Sequence, residues 1–178
     1  MIDWRLSMRR LALVTIALLL ALPILRQSIS SALVTRGDAL LYLRDSAAKE
    51  KYRLALTIDS ANSSAAERLV FAEFLSHDAR ELEDGVRVAS FALIADPRDA
   101  GLRMDRALCL QLLKRYVQAR VDFEVAGKQR GDVQALTLAA ADARRTHDLI
   151  GARRLLLLAQ RTDPAYLPVR TALSRVQR

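Results

Sequence analysis

The sequence predicts an all-α protein that begins with an apolar membrane-type helix and continues as a stack of helix pairs. Its 178 residues are rich in alanine, leucine and arginine, with only six glycines and four prolines. This composition favours helices over strands. About half of the residues (52%) are hydrophobic, which is enough for a packed core. A pattern of small and bulky residues also recurs along the chain, and it predicts the stacking.

The N-terminal segment indicates the cellular compartment. Residues 11–25 form an apolar run in which Thr15 is the most polar residue, and Arg5, Arg9 and Arg10 precede it. An uncharged helix partitions into hydrocarbon, and flanking arginines stay on the cytoplasmic side. We therefore expect the remainder of the chain on the outer side of the membrane, which is the periplasm in a bacterium.

Whether the apolar segment is retained is a separate question. Fifteen residues make a helix of about 22 Å, shorter than a hydrocarbon core of about 30 Å. Small residues at Ser28, Ser30 and Ala32 could frame a signal-peptidase site. Arg26 argues against cleavage, and apolar residues resume in 29–34. We favour a retained signal anchor over residues 1–35 and a helical domain over 36–178; the alternative is a protein secreted to the periplasm after cleavage.

The clearest pattern is a triplet in which a small residue, a larger or apolar residue and an alanine follow at offsets of four and three. Its last alanines are spaced by 37, 34 and 33 residues. Three copies are followed by an aspartate and a turn former, whereas the third copy has Arg130–Gly131. The four copies are Ala48–Tyr52–Ala55, Gly85–Ala89–Ala92, Ala119–Phe123–Ala126 and Ala152–Leu156–Ala159.

A second small residue precedes each triplet. Ala72, Ala107 and Ala140 lie 19 or 20 residues before the last alanine of their copy, and Gly37 lies 18 before Ala55. Small side chains at both positions allow two helices to cross closely. A helix pair cannot bury its apolar face alone, so successive pairs are expected to stack into a continuous core.

This arrangement resembles the tetratricopeptide repeat, whose period is about 34 residues. The resemblance covers residues 37–165 and implies a short solenoid of three to four helix pairs. A stretch from Tyr166 to Val176, with Leu167, Leu173 and Val176 as apolar residues, is expected to form a capping helix. The second repeat is expected to depart from the pattern by a longer loop between its two helices, from His77 to Asp84.

Residues with catalytic or metal-binding potential are few. His77 and His147 are expected in loops between helices, and Cys109 is a single thiol in an apolar stretch. A metal site needs several converging ligands. The acidic residues Glu81, Glu83 and Asp84 are expected beside a helix start at Gly85, where negative charge is favourable. We predict no enzyme activity, no metal and no cofactor.

The net charge of +8 lies in the C-terminal half. Residues 98–178 contain sixteen basic and eight acidic side chains, and residues 1–97 contain twelve of each. Such an excess can attract acidic proteins, anionic lipid or nucleic acid, or it can simply cover solvated helix faces. Nucleic acid is not an expected partner, because aromatic stacking residues are few and the export signal points away from it.

The resemblance implies that the first helices line a groove that binds a peptide or helix of another protein. Basic residues near its C-terminal end favour an acidic segment or a terminal carboxylate. The expected function is a membrane-anchored scaffold or assembly factor for an envelope complex; alternatives are a chaperone-like factor for exported proteins, or an envelope enzyme. The oligomeric state stays open. The candidate groove residues are Glu73, His77, Gln111, Lys114, Arg144 and Arg145.

Overall fold

A computed structural model describes residues 4–43 and 46–176, and every regular element in these ranges is an α-helix. The helices group into two compact units whose boundary falls between Ala65 and Ala66. The elements are α1 (Trp4–Tyr42), α2 (Ala47–Ile58), α3 (Ser63–Ser76), α4 (Ala79–Ala95), α5 (Ala100–Leu112), α6 (Tyr116–Arg130), α7 (Val133–Arg145), α8 (Leu149–Thr162) and α9 (Leu167–Val176).

In the first unit, α1 packs against α2. A methyl group on Gly37 would lie 2.5 Å from Cε1 of Tyr52, so only glycine lets the two helices approach this closely. Tyr52 is fully buried, and its hydroxyl donates a hydrogen bond to Oδ1 of Asp38 at 2.8 Å. The predicted pairing of Gly37 with the Ala48–Tyr52–Ala55 triplet is therefore confirmed.

Helix α1 is continuous through the predicted end of the anchor. Its Thr15–Tyr42 portion is long and apolar enough to cross a membrane, and no other helix in the described ranges meets that test. Apolar side chains such as Leu19, Leu20 and Ile24 are about two-thirds exposed. The division at residue 35 falls inside this helix, and it stays a prediction.

In the second unit, each helix from α4 to α9 packs on the next one in sequence. Phe123 and Leu156 are buried, and so are the alanines that flank them in their triplets. The small residues predicted for the first helices, Ala72, Ala107 and Ala140, are buried as well. Ala92 is the exception among the last alanines, because it is only half-buried. The predicted stack of helix pairs is confirmed.

The helix ends confirm the repeat register. The backbone N–H groups of Asp59, Asp96 and Asp163 donate to the carbonyls of Ala55, Ala92 and Ala159 at 2.9, 3.1 and 3.0 Å. These alanines therefore occupy equivalent places, three residues before the last residue of each helix.

The third repeat ends its second helix differently. Helix α6 ends at Gly131, whose φ of 64° is left-handed, a conformation that glycine adopts without a steric cost. Glycine thus replaces the aspartate that ends the second helix of the other repeats.

The prediction of a long loop between the helices of the second repeat is wrong. Helix α3 ends at Ser76 and α4 begins at Ala79, so the connection is a two-residue turn. Asp78 caps α4 by accepting hydrogen bonds from the backbone N–H groups of Arg80 and Glu81. The acidic residues therefore lie on α4, and Gly85 is in its middle rather than at its start. The aspartate cap and the good helix formers after it outweigh the glycine.

The capping helix is present, and its predicted residue Leu173 is buried, but Val169 takes the place expected for Leu167. Val169 and Leu173 are buried against the core, whereas Leu167 is 67% exposed. Helix α9 begins at Leu167, and the i, i+4 pair that faces α8 starts two residues later. The side chain of Val176 lies outside the described residues.

Candidate protein-interaction site

In each of the last three repeats, the turn between the two helices has the same backbone conformation. His77, Lys114 and His147 have φ values of 55°, 60° and 60°, and they are the non-glycine residues with positive φ in the described part of the chain. Each turn places its residue one or two positions beyond the first helix of the pair. His77 and Lys114 therefore lie at the ends of α3 and α5 rather than along their faces.

A buried carboxylate joins the first helices of the last two pairs. Asp142 on α7 is fully buried, and its Oδ1 accepts hydrogen bonds from Nε2 of Gln111 at 2.8 Å and from Nη1 of Arg145 at 2.6 Å. Hydrogen bonds to an ionised carboxylate are among the stronger ones in proteins. They fix the positions of Gln111 on α5 and Arg145 on α7 relative to each other.

The guanidinium of Arg145 also lies over an aromatic ring. Its Cζ is 5.1 Å from the ring centroid of Tyr116, the first residue of α6, which is a cation–π geometry. The side chain of Arg145 remains 47% exposed. We refer to Gln111, Tyr116, Asp142 and Arg145 as the Asp142 cluster. It presents a fixed, partly solvated cation and an amide, which can recognise a carboxylate.

Two of the six residues predicted from the sequence, Gln111 and Arg145, meet in this cluster. Sequence reasoning missed Asp142 and Tyr116. The available signal was the spacing of three between Asp142 and Arg145, which places both on one face of a helix.

Within residues 4–43 and 46–176, no side-chain hydrogen bond or ion pair joins the other predicted residues to the cluster. Arg144 is exposed in the last turn of α7. His77 is exposed, and its ring centroid is 5.9 Å from that of Phe74. Glu73 is fully buried rather than on a surface. A role for these residues in binding stays a prediction.

A second electrostatic feature lies on α5, upstream of Gln111. Burial, and then the negative charges of Glu67 and Asp99, raise the pKa of Asp105 to about 7, against the opposing effect of Arg68 and Arg130. Burial followed by Asp99 also raises the pKa of Glu67. Asp105 therefore exchanges its proton near neutral pH.

The thiol of Cys109 is not poised for chemistry. It is fully buried, and burial, followed by the charges of Asp105 and Glu73, raises its pKa to about 12. Among the residues that the structure describes, no group of three or more His, Cys, Asp or Glu side chains is arranged to hold a metal ion. His77 and His147 occupy separate turns.

Comparisons with known proteins place the fold. The sequence matches no family model and no curated protein. Among solved structures, the chain is similar to TTC0263, a thermophilic TPR protein of Thermus thermophilus, with 19% identity and a TM-score of 0.64 over 83% of this chain and 81% of that one. It is similar to a MamA RS-1 double mutant, with 14% identity and a TM-score of 0.72 over 84% and 83%.

A third similar structure is PilF of Pseudomonas aeruginosa. It has 18% identity and a TM-score of 0.67, and the match covers 85% of this chain and 68% of that one. Identities this low show the fold alone, and that fold agrees with the observed stack of helix pairs. The chain has the tetratricopeptide-repeat fold.

Proposed function

We propose that this protein is a membrane-anchored scaffold or assembly factor that binds another protein of the cell envelope through the first helices of its repeat array. The Asp142 cluster is the observation that carries the proposal. It holds Arg145 and Gln111 in fixed positions on adjacent first helices, and the side chain of Arg145 is half exposed. Preorganised donors lower the entropic cost of binding a ligand carboxylate.

The partner of this site is an acidic segment or a terminal carboxylate of a protein. Arg144 and Arg145 place two cations in the last turn of α7, and Arg145 is already oriented by Asp142 and Tyr116. Arginine matches a carboxylate with two parallel N–H donors. Gln111 adds an uncharged donor beside them.

Retention of the N-terminal helix is supported by Ser30. This residue is fully buried, its hydroxyl donates to the carbonyl of Ala55 at 3.0 Å, and it accepts a hydrogen bond from Nδ2 of Asn62 at 2.7 Å. Cleavage after Ser30 or Ala32 would remove these contacts. It would also remove most of the part of helix α1 that precedes Gly37. The folded first unit therefore includes residues that a cleaved signal peptide would take away.

The orientation follows from the charges around the apolar segment. Arg5, Arg9 and Arg10 precede the apolar segment and favour a cytoplasmic N-terminus. The repeat array then lies on the periplasmic side of an inner membrane, close to membrane-embedded partners because α1 runs directly into the first helix pair.

The binding site is tested by isolating native complexes from detergent-solubilised membranes with the full chain as bait. We expect a reproducible partner at fixed stoichiometry that is lost with Arg145→Glu and kept with the exposed control Arg98→Glu. Equal recovery with both variants, or isolation of the bait by itself, would contradict the proposal.

The same experiment separates the chaperone-like alternative. A factor for exported proteins would bring down many substoichiometric clients that differ between growth conditions, whereas a scaffold brings down the same partner each time. An envelope enzyme would instead show a substrate-dependent shift in melting temperature.

A further inference from the structure

Helix α8 carries a second stripe besides the one that faces the core. Its core stripe, which includes Leu155 and Leu156, is buried against α7 and α9. The other stripe follows the spacing i, i+3, i+4, i+7, i+8 and i+11, which places its members along one face of a helix. We define it as the outer stripe: Ile150, Arg153, Arg154, Leu157, Leu158 and Arg161.

The outer stripe forms one wall of an open groove of about 550 Å³. The other wall is α6, which contributes Glu124 and Lys128. Ile150 is 87% exposed and Leu157 is 39% exposed, so apolar side chains of the groove remain in water. Covering them with another apolar surface is favourable, at about 25 cal/mol per Å².

The groove has an excess of positive charge. Glu124 is its single carboxylate among the lining residues, and it is already paired with Lys128 at 2.7 Å and with Arg154 at 3.0 Å. Arg153 and Arg161 form no ion pair with any residue in the described ranges. Their charges are therefore available to an acidic ligand.

We propose that this α6–α8 groove docks an acidic amphipathic helix of a partner protein. The residues from Ile150 to Arg161 span about 16 Å at a rise of about 1.5 Å per residue, so the docked helix has about three turns. Its apolar face covers Ile150 and Leu157, and its carboxylates pair with Arg153 and Arg161. Helix-in-groove recognition by anchors at i, i+3, i+4 and i+7 is a common mode.

A protein helix fits the groove better than a lipid surface does. The apolar residues line a groove between two helices, and Glu124 lies among the cations. A bilayer surface is flat, and anionic headgroups would meet this carboxylate. The groove lies between the second helices α6 and α8, and none of its lining residues belongs to the Asp142 cluster, which lies on α5, α7 and the first residue of α6. The inference rests on the proposed function only in that the ligand is a protein.

The test places a photo-crosslinking amino acid at Leu157 of the full chain in native membranes and identifies the crosslinked segment by mass spectrometry. We expect a segment with net negative charge and apolar residues at helical spacing. A synthetic peptide of that sequence should bind the solubilised full chain at least tenfold more weakly after the double change Arg153→Glu and Arg161→Glu. Replacing the acidic residues of the peptide by lysine should restore binding to that double variant.

The controls lie at exposed positions outside the groove: Arg98→Glu reverses one charge, as each change of the double variant does, and Ile94→Glu adds one negative charge. Both should leave crosslinking and peptide affinity unchanged. A crosslink to lipid, to a second copy of this chain, or to a neutral or basic segment would overturn the proposal, as would the absence of any crosslink. Arg145→Glu separates the two sites: crosslinking at Leu157 should persist in this variant even if the Asp142 cluster binds no partner.

Discussion

Two buried aspartates in this protein, Asp122 and Asp142, accept hydrogen bonds from side chains of helix α5. Asp122 on α6 is 3% exposed, and its two oxygens accept hydrogen bonds from Nε and Nη2 of Arg106 on α5, both at 2.7 Å. This two-point geometry holds the carboxylate and the guanidinium in one plane. Such a pair fixes how two helices align, in the same way that Asp142 fixes Gln111 and Arg145.

We predict that Asp122→Ala lowers the free energy of unfolding of the compact unit formed by residues 66–178 by about 3 kcal/mol. The reason is that Arg106 stays half-buried without its carboxylate partner. Glu83→Ala is the contrasting variant. Glu83 pairs with Arg115 at 3.0 Å, but both side chains are well exposed, so we expect a loss below about 1 kcal/mol. Urea denaturation of the detergent-solubilised chain, followed by helical circular dichroism, measures both. Equal losses would show that the Asp122 pair has no special role.

Asp105 predicts a pH dependence of stability. Its pKa in the folded chain is about 7, above its ordinary value of 3.8, so the folded state binds the proton more tightly than the unfolded state does. The stabilising effect of that proton is complete below about pH 4 and is lost as the pH rises through 7. The contribution of Asp105 should therefore lower the stability of the wild-type protein between about pH 4 and pH 7.

Asp105→Asn removes the group that is costly to ionise. One pKa unit corresponds to about 1.4 kcal/mol, and because Asp105 keeps some contact with water, we expect a gain of about 1–3 kcal/mol at pH 8 and little change at pH 4. The exposed carboxylate of Glu50 supplies the control, Glu50→Gln. A pH profile of Asp105→Asn that runs parallel to the wild-type profile would contradict this account.

At the scale of the helices, the ends of the second helices were more predictable than the turns between the two helices of a repeat. The alanine before each Asp turn marks a fixed hydrogen-bond position, so Ala55, Ala92 and Ala159 could be aligned from spacing. The turn after α3 could not, because Gly85 and the acids before it have the composition of a loop. The cap from Asp78 makes that stretch helical.

Overpacking tests the register of these helices. We expect Ala159→Leu, at a fully buried crossing, to cost about 1–3 kcal/mol because the neighbouring helix must shift. Ala92→Leu should cost less, since Ala92 is only half-buried. Arg153→Leu, on the outer stripe, should be nearly neutral. Thermal denaturation ranks the three variants, and a ranking with Arg153→Leu as the most harmful would refute the register.

Gly37 predicts how α1 holds α2. A methyl group at this position would lie 2.5 Å from the Tyr52 ring, so Gly37→Ala should force α1 and α2 apart. We expect the amides of α2 to exchange with solvent at least tenfold faster in this variant. Thr35→Ala is the control, because Thr35 is an exposed residue on the same helix. Unchanged exchange in Gly37→Ala would mean that the first unit does not depend on this contact.

At the scale of the whole molecule, the fold was largely predictable, whereas the contacts of the candidate site were not. Small residues at regular spacing indicate where helix backbones cross closely, and these crossings repeat along the chain. The Asp142 cluster depends on one charge on α7 meeting an amide on α5, and no periodicity encodes such a meeting. Likewise, the pattern could not show that Glu73 turns inward while Arg145 stays half exposed.

The helix α1 connects these scales, because it carries both the apolar segment and the contacts of the first unit. Ser30 and Gly37 pack against α2, while Leu20 and Ile24, which precede Ser30 on the same helix, are exposed apolar residues. A membrane would cover those side chains. The central proposal is therefore an array held at the membrane by an uncleaved helix.

Protease accessibility with size detection tests that proposal most directly, using a C-terminal epitope on the full chain in intact and outer-membrane-permeabilised cells. We predict a membrane-bound product of full length, with an epitope that is protected in intact cells and digested after permeabilisation. A soluble product shortened by about thirty residues, or an epitope that becomes accessible only after the inner membrane is broken, would contradict it.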